Sequence, residues 1–383
     1  MMIGKKIFIV AANLFIVLIV LQTHLKPVKD MILSGAEKKA AILKPSLTDL
    51  FKGKFQNSVE QWLKQNIGFR GFFVKFDNQI NYSLFDEFSR NHPRKIILGK
   101  NKYLYEESYI DSYNRISPMP PGELEDKTAS LKKLQDQLLK RNVRLLLMIT
   151  PSKATVYPEY IPERYILRDN LSRQDNYETL LPILKKYGIN FIDGRQMFLD
   201  LKHKSVPGLF TSSGTHWSLY GGYLFTERLI KRIEQLLGKR LVHIECRKVV
   251  PSREPIELDK DIARLSNILF TRTLFTEYLY PETYPDAPAG SYRPNMLMVG
   301  TSFCWNIVPY LESNRVFSRL DFYYYFNTDF SYPGRIQRHI DRDRVDWGRD
   351  IFNRDIILIE INEIALSEMG FGFIEAGLQK TSR

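Results

Sequence analysis

The chain begins with a run of apolar residues, and the run predicts a membrane anchor. The sequence "IFIVAANLFIVLIVL", residues 7–21, is interrupted only by Asn13 and follows Lys5 and Lys6. Its length is that of a signal-peptide core and is short for a full membrane span. No small-x-small cleavage site follows, so we expect an uncleaved anchor helix within residues 1–25. Because the lysines precede the run, the rest of the chain is expected outside the cytoplasm. A buried core helix is the alternative interpretation.

The next segments differ in their spacing of apolar residues. Residues 26–54 are mixed and polar, and they predict a juxtamembrane stalk. Residues 58–85 place apolar side chains at helical spacing and predict one or two amphipathic helices broken near Gly68. The stretch "IILGKNKYLY", residues 96–105, predicts a hairpin because a Gly-Lys-Asn turn separates two apolar runs.

After this hairpin, continuous apolar strands alternate with helical segments. The predicted strands are "VRLLLMIT" (143–150), "INFID" (189–193), "NMLMVG" (295–300) and "DIILIEIN" (355–362). Strands of this kind, alternating with helices, predict an α/β fold with a parallel sheet covered by helices on both faces. We assign this domain to residues 55–383. Within it, residues 247–293 are rich in Pro and Tyr without a clear period, and they predict an insertion loop.

Composition and charge narrow the class of protein. The 383 residues are 44% hydrophobic and 26% charged, which is typical of a globular protein. The net charge of +12 is scattered without a block of five basic residues, which argues against nucleic acid and favours anionic lipid or an acidic polymer as partner. Two cysteines give no disulfide framework. Six histidines without a Cys/His cluster argue against a structural zinc site, and nothing implies a cofactor.

Polar residues follow the predicted strands, at the edge where parallel sheets bind ligands. They are Lys153, Asp193, Ser302, Glu360 and Glu363. Ser302 stands on a tight strand-to-helix turn, "GTS", which is a nucleophile geometry. A helix-capping serine is the alternative interpretation.

His216 is the base that such a serine needs. It lies in "LFTSSGTHWSLYGGYLF", residues 209–225, just before a predicted helix that Ser218 caps. This places it at the same edge of the sheet as Ser302. A packed or capping histidine is the alternative for this motif alone. Together the two features predict catalysis.

Five segments in order resemble the SGNH-hydrolase-like domain of the alginate O-acetyltransferase family (AlgJ/AlgX-like). They are "LLLMITPSKATVYPEYIP", "FIDGRQMF", "SGTHWSLYGG", "MLMVGTSF" and "ILIEINE". The segments "IGFR" (67–70) and "LGKNKYLY" (98–105) also match that family, and the resemblance covers roughly residues 55–375. It implies that Ser302 is acetylated, with His216 as the base. It further implies transfer to a polysaccharide hydroxyl outside the cytoplasmic membrane, with a membrane-bound O-acyltransferase as donor partner. We therefore expect the protein at the periplasmic side of the inner membrane.

The sequence departs from the family at the residue that would orient the histidine. The family pattern Asp-x-His-Trp is replaced by Gly214-Thr215-His216-Trp217, and Gly-Asp-Ser is replaced by Gly-Thr-Ser. Loss of the acid from a serine triad costs on the order of 10⁴ in turnover when nothing replaces it. Three hypotheses remain open. Asp193 or Glu363 is an acid surrogate, the site is a Ser-His dyad, or the protein is inactive and only binds.

The resulting hypotheses for function fall into three classes. The first is an extracytoplasmic O-acetyltransferase acting on an exopolysaccharide or cell-surface polysaccharide through an acyl-serine. The second is a carbohydrate O-acetylesterase, and the third is a catalytically silent polysaccharide-binding subunit. Lys153, Arg70 and Trp217 are the candidate substrate contacts. A solvated strand-end lysine and a helix-cap ion pair are the alternatives for Lys153 and Arg70.

Overall fold

The computed structural model describes residues 2–35, 40–88, 95–169 and 172–381. The chain divides into two compact units. The first comprises Met1–Lys95 and Ala263–Thr273, and the second comprises Ile96–Ile262 and Leu274–Arg383. This division differs from the predicted domain over 55–383, because residues up to Lys95 belong to the first unit. Residues 36–39 of the predicted stalk lie outside the described residues.

The helices and strands are numbered along the chain. The helices are α1 (Met2–Leu25), α2 (Leu47–Phe51), α3 (Lys54–Asn66), α4 (Arg70–Phe85), α5 (Glu107–Tyr113), α6 (Pro121–Leu139), α7 (Lys153–Val156), α8 (Asn176–Lys186), α9 (Gly194–His203), α10 (Leu219–Leu237), α11 (Asp261–Leu265), α12 (Val308–Ser313), α13 (Trp347–Asp350) and α14 (Phe373–Thr381). The strands are β1 (Ile96–Leu98), β2 (Leu104–Glu106), β3 (Arg144–Thr150), β4 (Phe191–Asp193), β5 (His243–Ser252), β6 (Tyr278–Asp286), β7 (Asn295–Gly300), β8 (Arg319–Tyr324), β9 (Thr328–Tyr332), β10 (Ile336–His339) and β11 (Ile356–Asn362).

The first unit is helical and contains α1. Among the described residues, one helix, Gly4–Leu25, is long and apolar enough to cross a membrane. The predicted break near Gly68 separates α3 from α4. A Cβ on Gly68 would lie 2.6 Å from the carbonyl oxygen of Ile19, so the break lets the chain approach α1 closely. The rings of Phe15 in α1 and Phe73 in α4 meet edge to face with centroids 6.0 Å apart.

A seven-stranded sheet forms the centre of the second unit, with strand order β10-β9-β8-β7-β11-β3-β4. Strands β8, β7, β11, β3 and β4 run parallel to one another. Strands β9 and β10 continue the sheet as antiparallel neighbours beyond β8. The predicted parallel sheet is thus confirmed and is extended by an antiparallel edge.

Alternate residues of the central strands pack into two separate cores, as expected of a sheet covered on both faces. Leu146 and Met148 of β3 pack in one core, and Leu145 and Leu147 of the same strand pack in the other. Helix α10 contributes to the first core, and α6, α8 and α14 contribute to the second. Every residue of β11 is buried. The continuous apolar strands of the sequence therefore have apolar partners on both faces.

Residues 247–293, predicted as a loop, contain regular structure. Most of β5 and all of β6 lie there, and the two strands pair antiparallel from His243 opposite Asp286 to Ser252 opposite Tyr278. Helix α11 begins between these strands, at Asp261. These strands lack a clear alternation of apolar and polar residues in the sequence, because β6 contains proline and β5 has a register shift. The shorter predicted hairpin is found as β1 and β2, paired antiparallel.

Candidate active site

Ser302 lies on the turn that follows β7, at the carboxyl end of the parallel sheet. A 3-10 helix, Ser302–Asn306, begins there, and the Thr301 hydroxyl accepts a hydrogen bond from the Phe303 N–H at 3.2 Å. The carboxylate of Glu360 in β11 accepts hydrogen bonds from both the N–H and the hydroxyl of Thr301, at 2.6 and 2.8 Å. The turn that carries Ser302 is therefore fastened to the neighbouring strand.

Gly300 is required by this close approach. A Cβ at position 300 would lie 2.7 Å from Sγ of Cys304 and 2.8 Å from Cβ of Glu360. Burial raises the pKa of Glu360, whereas the hydrogen bonds that it accepts from Thr150, Thr301 and Cys304 lower it. The carboxyl group has donors on both oxygens, so its buried position is satisfied.

His216 contacts Ser302 directly. Its Nε2 atom lies 2.7 Å from Oγ of Ser302, which is the distance that proton transfer requires. The imidazole meets the ring of Phe303 edge to face, with centroids 4.9 Å apart. The predicted proximity of the two motifs is therefore present in the structure.

The acid beside His216 is Asp261, at the start of α11. Its Oδ2 atom lies 2.9 Å from Nδ1 of His216. Its Oδ1 atom accepts hydrogen bonds from the N–H groups of Thr215 and Ile262, at 2.8 and 2.9 Å. Burial alone would raise the pKa of Asp261, but the charge of His216, the contacts with His216 and Thr215 and the charge of Lys153 lower it below its usual value. A carboxylate on Nδ1 and a hydroxyl on Nε2 form the arrangement by which a histidine activates a serine.

The carboxylates of Asp193 and Glu363 have partners other than His216. Asp193 caps α9 by accepting the Gln196 N–H, and its other oxygen accepts the Tyr177 hydroxyl at 2.6 Å. Glu363 accepts the N–H of Ser152 at 2.6 Å and lies 3.2 Å from Arg195. Asp193 ends β4 and Glu363 directly follows β11, but their carboxylates are held by other groups. The sequence did not identify Asp261 as the acid, because it lies in residues 247–293, the segment predicted as a loop. The signal available was an aspartate directly before "IARL", a helical start.

Two predicted substrate contacts are buried. Only 2% of Lys153 is exposed, and Trp217 is fully buried with its Nε1–H donated to the Phe303 carbonyl at 3.1 Å. This burial argues against direct contact with a substrate, and a role for either side chain in substrate binding stays a prediction. Trp217 is part of the core that supports the turn. Arg70 belongs to the first unit, where its Nε donates to the Lys64 carbonyl at 2.7 Å, and a role for it in substrate binding stays a prediction.

Comparison with known proteins matches the part of the chain that carries this site. Residues 96–314, more than half of the chain, match the family model described as "SGNH hydrolase-like domain, acetyltransferase AlgX". A Pseudomonas aeruginosa protein described as "Probable alginate O-acetylase AlgJ" is 27% identical over an alignment of 284 positions, and the match covers 68% of this chain and 67% of that protein. The protein of the same description from Azotobacter vinelandii is 22% identical over 190 residues, 49% of this chain and 45% of its own length.

Among solved structures, the O-acetyltransferase domain of Pseudomonas putida AlgJ is similar to this chain. It has a TM-score of 0.49 and 16% identity, and the match covers 75% of this chain and 99% of that domain. The family assignment depends on the family model, which spans both Ser302 and His216. The chain therefore belongs to the family of SGNH hydrolase-like acetyltransferase domains related to AlgX.

Proposed function

We propose that this protein is an extracytoplasmic O-acetyltransferase that carries an acetyl group on Ser302 and passes it to a polysaccharide hydroxyl. The observation that carries the proposal is the 2.7 Å contact between Nε2 of His216 and Oγ of Ser302. Asp261 behind the imidazole supports it, since the arrangement then has nucleophile, base and acid. Membership in the acetyltransferase family is in accord with this chemistry.

Two half-reactions follow from this arrangement. In the first, His216 takes the hydroxyl proton of Ser302 while Oγ attacks the acetyl carbonyl of the donor. The leaving group then departs with the proton from His216, and an acetyl ester remains on Ser302. In the second, a sugar hydroxyl gives its proton to His216 and attacks the ester carbonyl. Oγ leaves, regains the proton, and the acetyl group is now bonded to the sugar oxygen.

The oxyanion formed in each half-reaction needs hydrogen-bond donors. We assign the backbone N–H of Ser302 to this role, because it stands at the start of the 3-10 helix, next to Oγ. The following N–H, that of Phe303, already donates to the hydroxyl of Thr301. Asp261 stabilises the imidazolium that accompanies the oxyanion.

Location and partners follow from the first unit and from the relatives. Apolar side chains of α1 are exposed, for example Phe8 at 73% and Ile16 at 58%, and such a surface favours lipid. We propose that α1 anchors the protein in the inner membrane with the second unit on the periplasmic side. The relatives are described as alginate O-acetylases, so an acidic polysaccharide is the proposed acceptor. A membrane-bound O-acyltransferase is the proposed donor partner.

The test uses the full chain in detergent with an activated acetyl ester as donor. Intact mass should reveal one acetyl adduct on the wild-type protein and none on the Ser302→Ala variant. Adding alginate oligosaccharides should discharge the adduct and yield acetylated oligosaccharide. Free acetate as the sole product, whatever the acceptor offered, would identify an esterase. A wild type that forms no adduct would leave the silent binding subunit as the remaining hypothesis.

A further inference from the structure

A single peptide group connects Lys153 with Asp261. The carbonyl of Gly214 accepts a hydrogen bond from Nζ of Lys153, and the N–H of the same peptide, that of Thr215, donates to Oδ1 of Asp261 at 2.8 Å. The other oxygen of Asp261 contacts His216, and His216 contacts Ser302. A continuous series of polar contacts therefore runs from the buried ammonium group to the serine hydroxyl.

The ammonium group of Lys153 donates its hydrogen bonds to the segment that precedes His216. Its three protons meet three carbonyl oxygens, those of Thr211 at 3.1 Å, Ser212 at 3.3 Å and Gly214. An ammonium group has three donors and no acceptor, so this set of acceptors matches the charged form. With 2% of the side chain exposed, Lys153 has no free donor to offer a substrate.

The charges around Lys153 offset part of the cost of burying a cation. Burial lowers the pKa of Lys153 to about 7, and the carboxylates of Asp261 and Glu106 act in the opposite direction. The rings of Tyr103 and Tyr105 lie 5.9 and 5.2 Å from Nζ. Glu106 also accepts the hydroxyl proton of Thr215 at 2.6 Å, so it fixes the same segment as the lysine. One more carboxyl group, that of Asp259, lies near the Asp261–His216 pair. The charge of Asp261 raises its pKa, and the charge of His216 lowers it.

We propose that Lys153 is a positioning residue of the acyl-transfer site, acting through the Gly214–Thr215 peptide. It fixes the peptide whose N–H orients Asp261, and its ammonium form places a positive charge beside the Asp261–His216 pair. The inference rests on the proposed function, because it assigns Lys153 to the same site. It also explains how a glycine occupies the position where related proteins have the acid. Asp261 of α11 supplies the acid, and Lys153 holds the Gly214–Thr215 peptide whose N–H binds it.

The test measures the reaction of Ser302 with phenylmethylsulfonyl fluoride, followed by intact mass across a range of pH. This probe needs neither the acetyl donor nor the polysaccharide. In Lys153→Met we expect the limiting rate to fall roughly 10- to 100-fold, because Asp261 is no longer held in place. The pH midpoint of the rate should rise, because the variant lacks a positive charge near the reacting groups.

Two further variants complete the experiment. Lys202→Met removes an equal charge from the second unit, where Lys202 donates to the Val156 carbonyl and pairs with Glu159, and it should behave as wild type. Lys153→Arg keeps the charge but cannot place three donors on the three carbonyls, so the limiting rate should fall while the midpoint stays. The Lys153→Arg variant therefore tests the proposal even if Lys153→Met does not fold.

The outcomes separate this proposal from the proposed function. An unreactive wild-type Ser302 would overturn both. A reactive wild type with a Lys153→Met variant of equal rate and midpoint would overturn the positioning role alone. A slower Lys153→Met with an unchanged midpoint, or a Lys153→Arg whose midpoint moves as far as that of the methionine variant, would overturn the electrostatic role of the lysine.

Discussion

Asp261 lies so close to Gly214 that a side chain at position 214 would crowd its carboxylate beside the active-site histidine. A Cβ on Gly214 would lie 3.1 Å from Oδ1 of Asp261 and 2.7 Å from Oγ1 of Thr211. Position 214, where the pattern of the family that the sequence resembles would put an acid, has no side chain here. The contact with Nδ1 of His216 is made instead by a carboxylate from α11.

Replacing Asp261 by its amide should disable the site without unfolding it. The amide of Asp261→Asn would keep an acceptor for the Thr215 N–H but would neither stabilise an imidazolium nor favour the productive tautomer of His216. We expect acyl transfer by this variant to fall by about 10³- to 10⁴-fold. The rate of acetyl-adduct formation, measured by intact mass, checks this.

The matched control is Asp193→Asn, which changes one of the two acids that the sequence offered as surrogates. Asp193 caps α9, so its amide should lower the free energy of unfolding by at most about 2 kcal/mol and leave the acylation rate near that of wild type. Equal rate losses in the two variants would argue against Asp261 as the partner of His216.

Restoring the family aspartate should harm the wild type and help a variant that lacks Asp261. In Gly214→Asp the new Cβ meets Thr211 and Asp261, so we expect a loss of about 1–3 kcal/mol in stability and a lower rate. In the double variant Gly214→Asp/Asp261→Ala the space is free, and acylation should exceed that of Asp261→Ala. A double variant no faster than Asp261→Ala would show that an acid at position 214 cannot replace the acid from α11. Gly214→Ala separates the steric effect from that of the carboxylate.

The sequence predicted the parts of the site that depend on strand order and failed where distant side chains converge. Ser302 and His216 could be placed together because each follows or precedes an element with a clear period, and such elements meet at one edge of a parallel sheet. Asp261 could not be placed, because its position depends on how the chain between β5 and β6 folds back. Lys153 follows a strand in the sequence, but the carbonyl groups that accept its hydrogen bonds come from a distant segment, and their approach has no sequence signature.

Thr301 should matter for its hydroxyl more than for its size. The hydroxyl donates to Glu360 at 2.8 Å and accepts the Phe303 N–H at 3.2 Å. Thr301→Val leaves a buried N–H without its acceptor, so we expect a loss of about 1–3 kcal/mol in the free energy of unfolding and slower acylation of Ser302. Thr301→Ser keeps the hydroxyl and should lose less than about 1 kcal/mol. Urea unfolding compares the two, and equal losses would contradict the role assigned to the hydroxyl.

Asp259 should make the protein less stable as the pH rises towards neutrality. It is 1% exposed, and its Oδ1 atom has no hydrogen-bond partner among the described residues. Burial, aided by the charge of Asp261, raises the pKa of Asp259 from 3.8 to about 7, against the opposing effects of Tyr280, Leu219 and His216. The folded protein therefore binds this proton more tightly than the unfolded chain does. The resulting stabilisation is complete below about pH 4 and is lost as the pH rises through about 7.

Asp259→Asn removes this dependence, because the amide is neutral throughout. The difference in melting temperature between Asp259→Asn and the wild type should shift in favour of the variant by roughly 3–8 °C between pH 4 and pH 8. Asp200→Asn is the control for the loss of one carboxyl group, since Asp200 is partnered at the surface by Gln196. Scanning calorimetry of the three proteins across this range measures both differences. If the Asp259→Asn difference stays constant with pH, the carboxyl of Asp259 does not gain a proton on folding, and the stability of the protein does not depend on its titration.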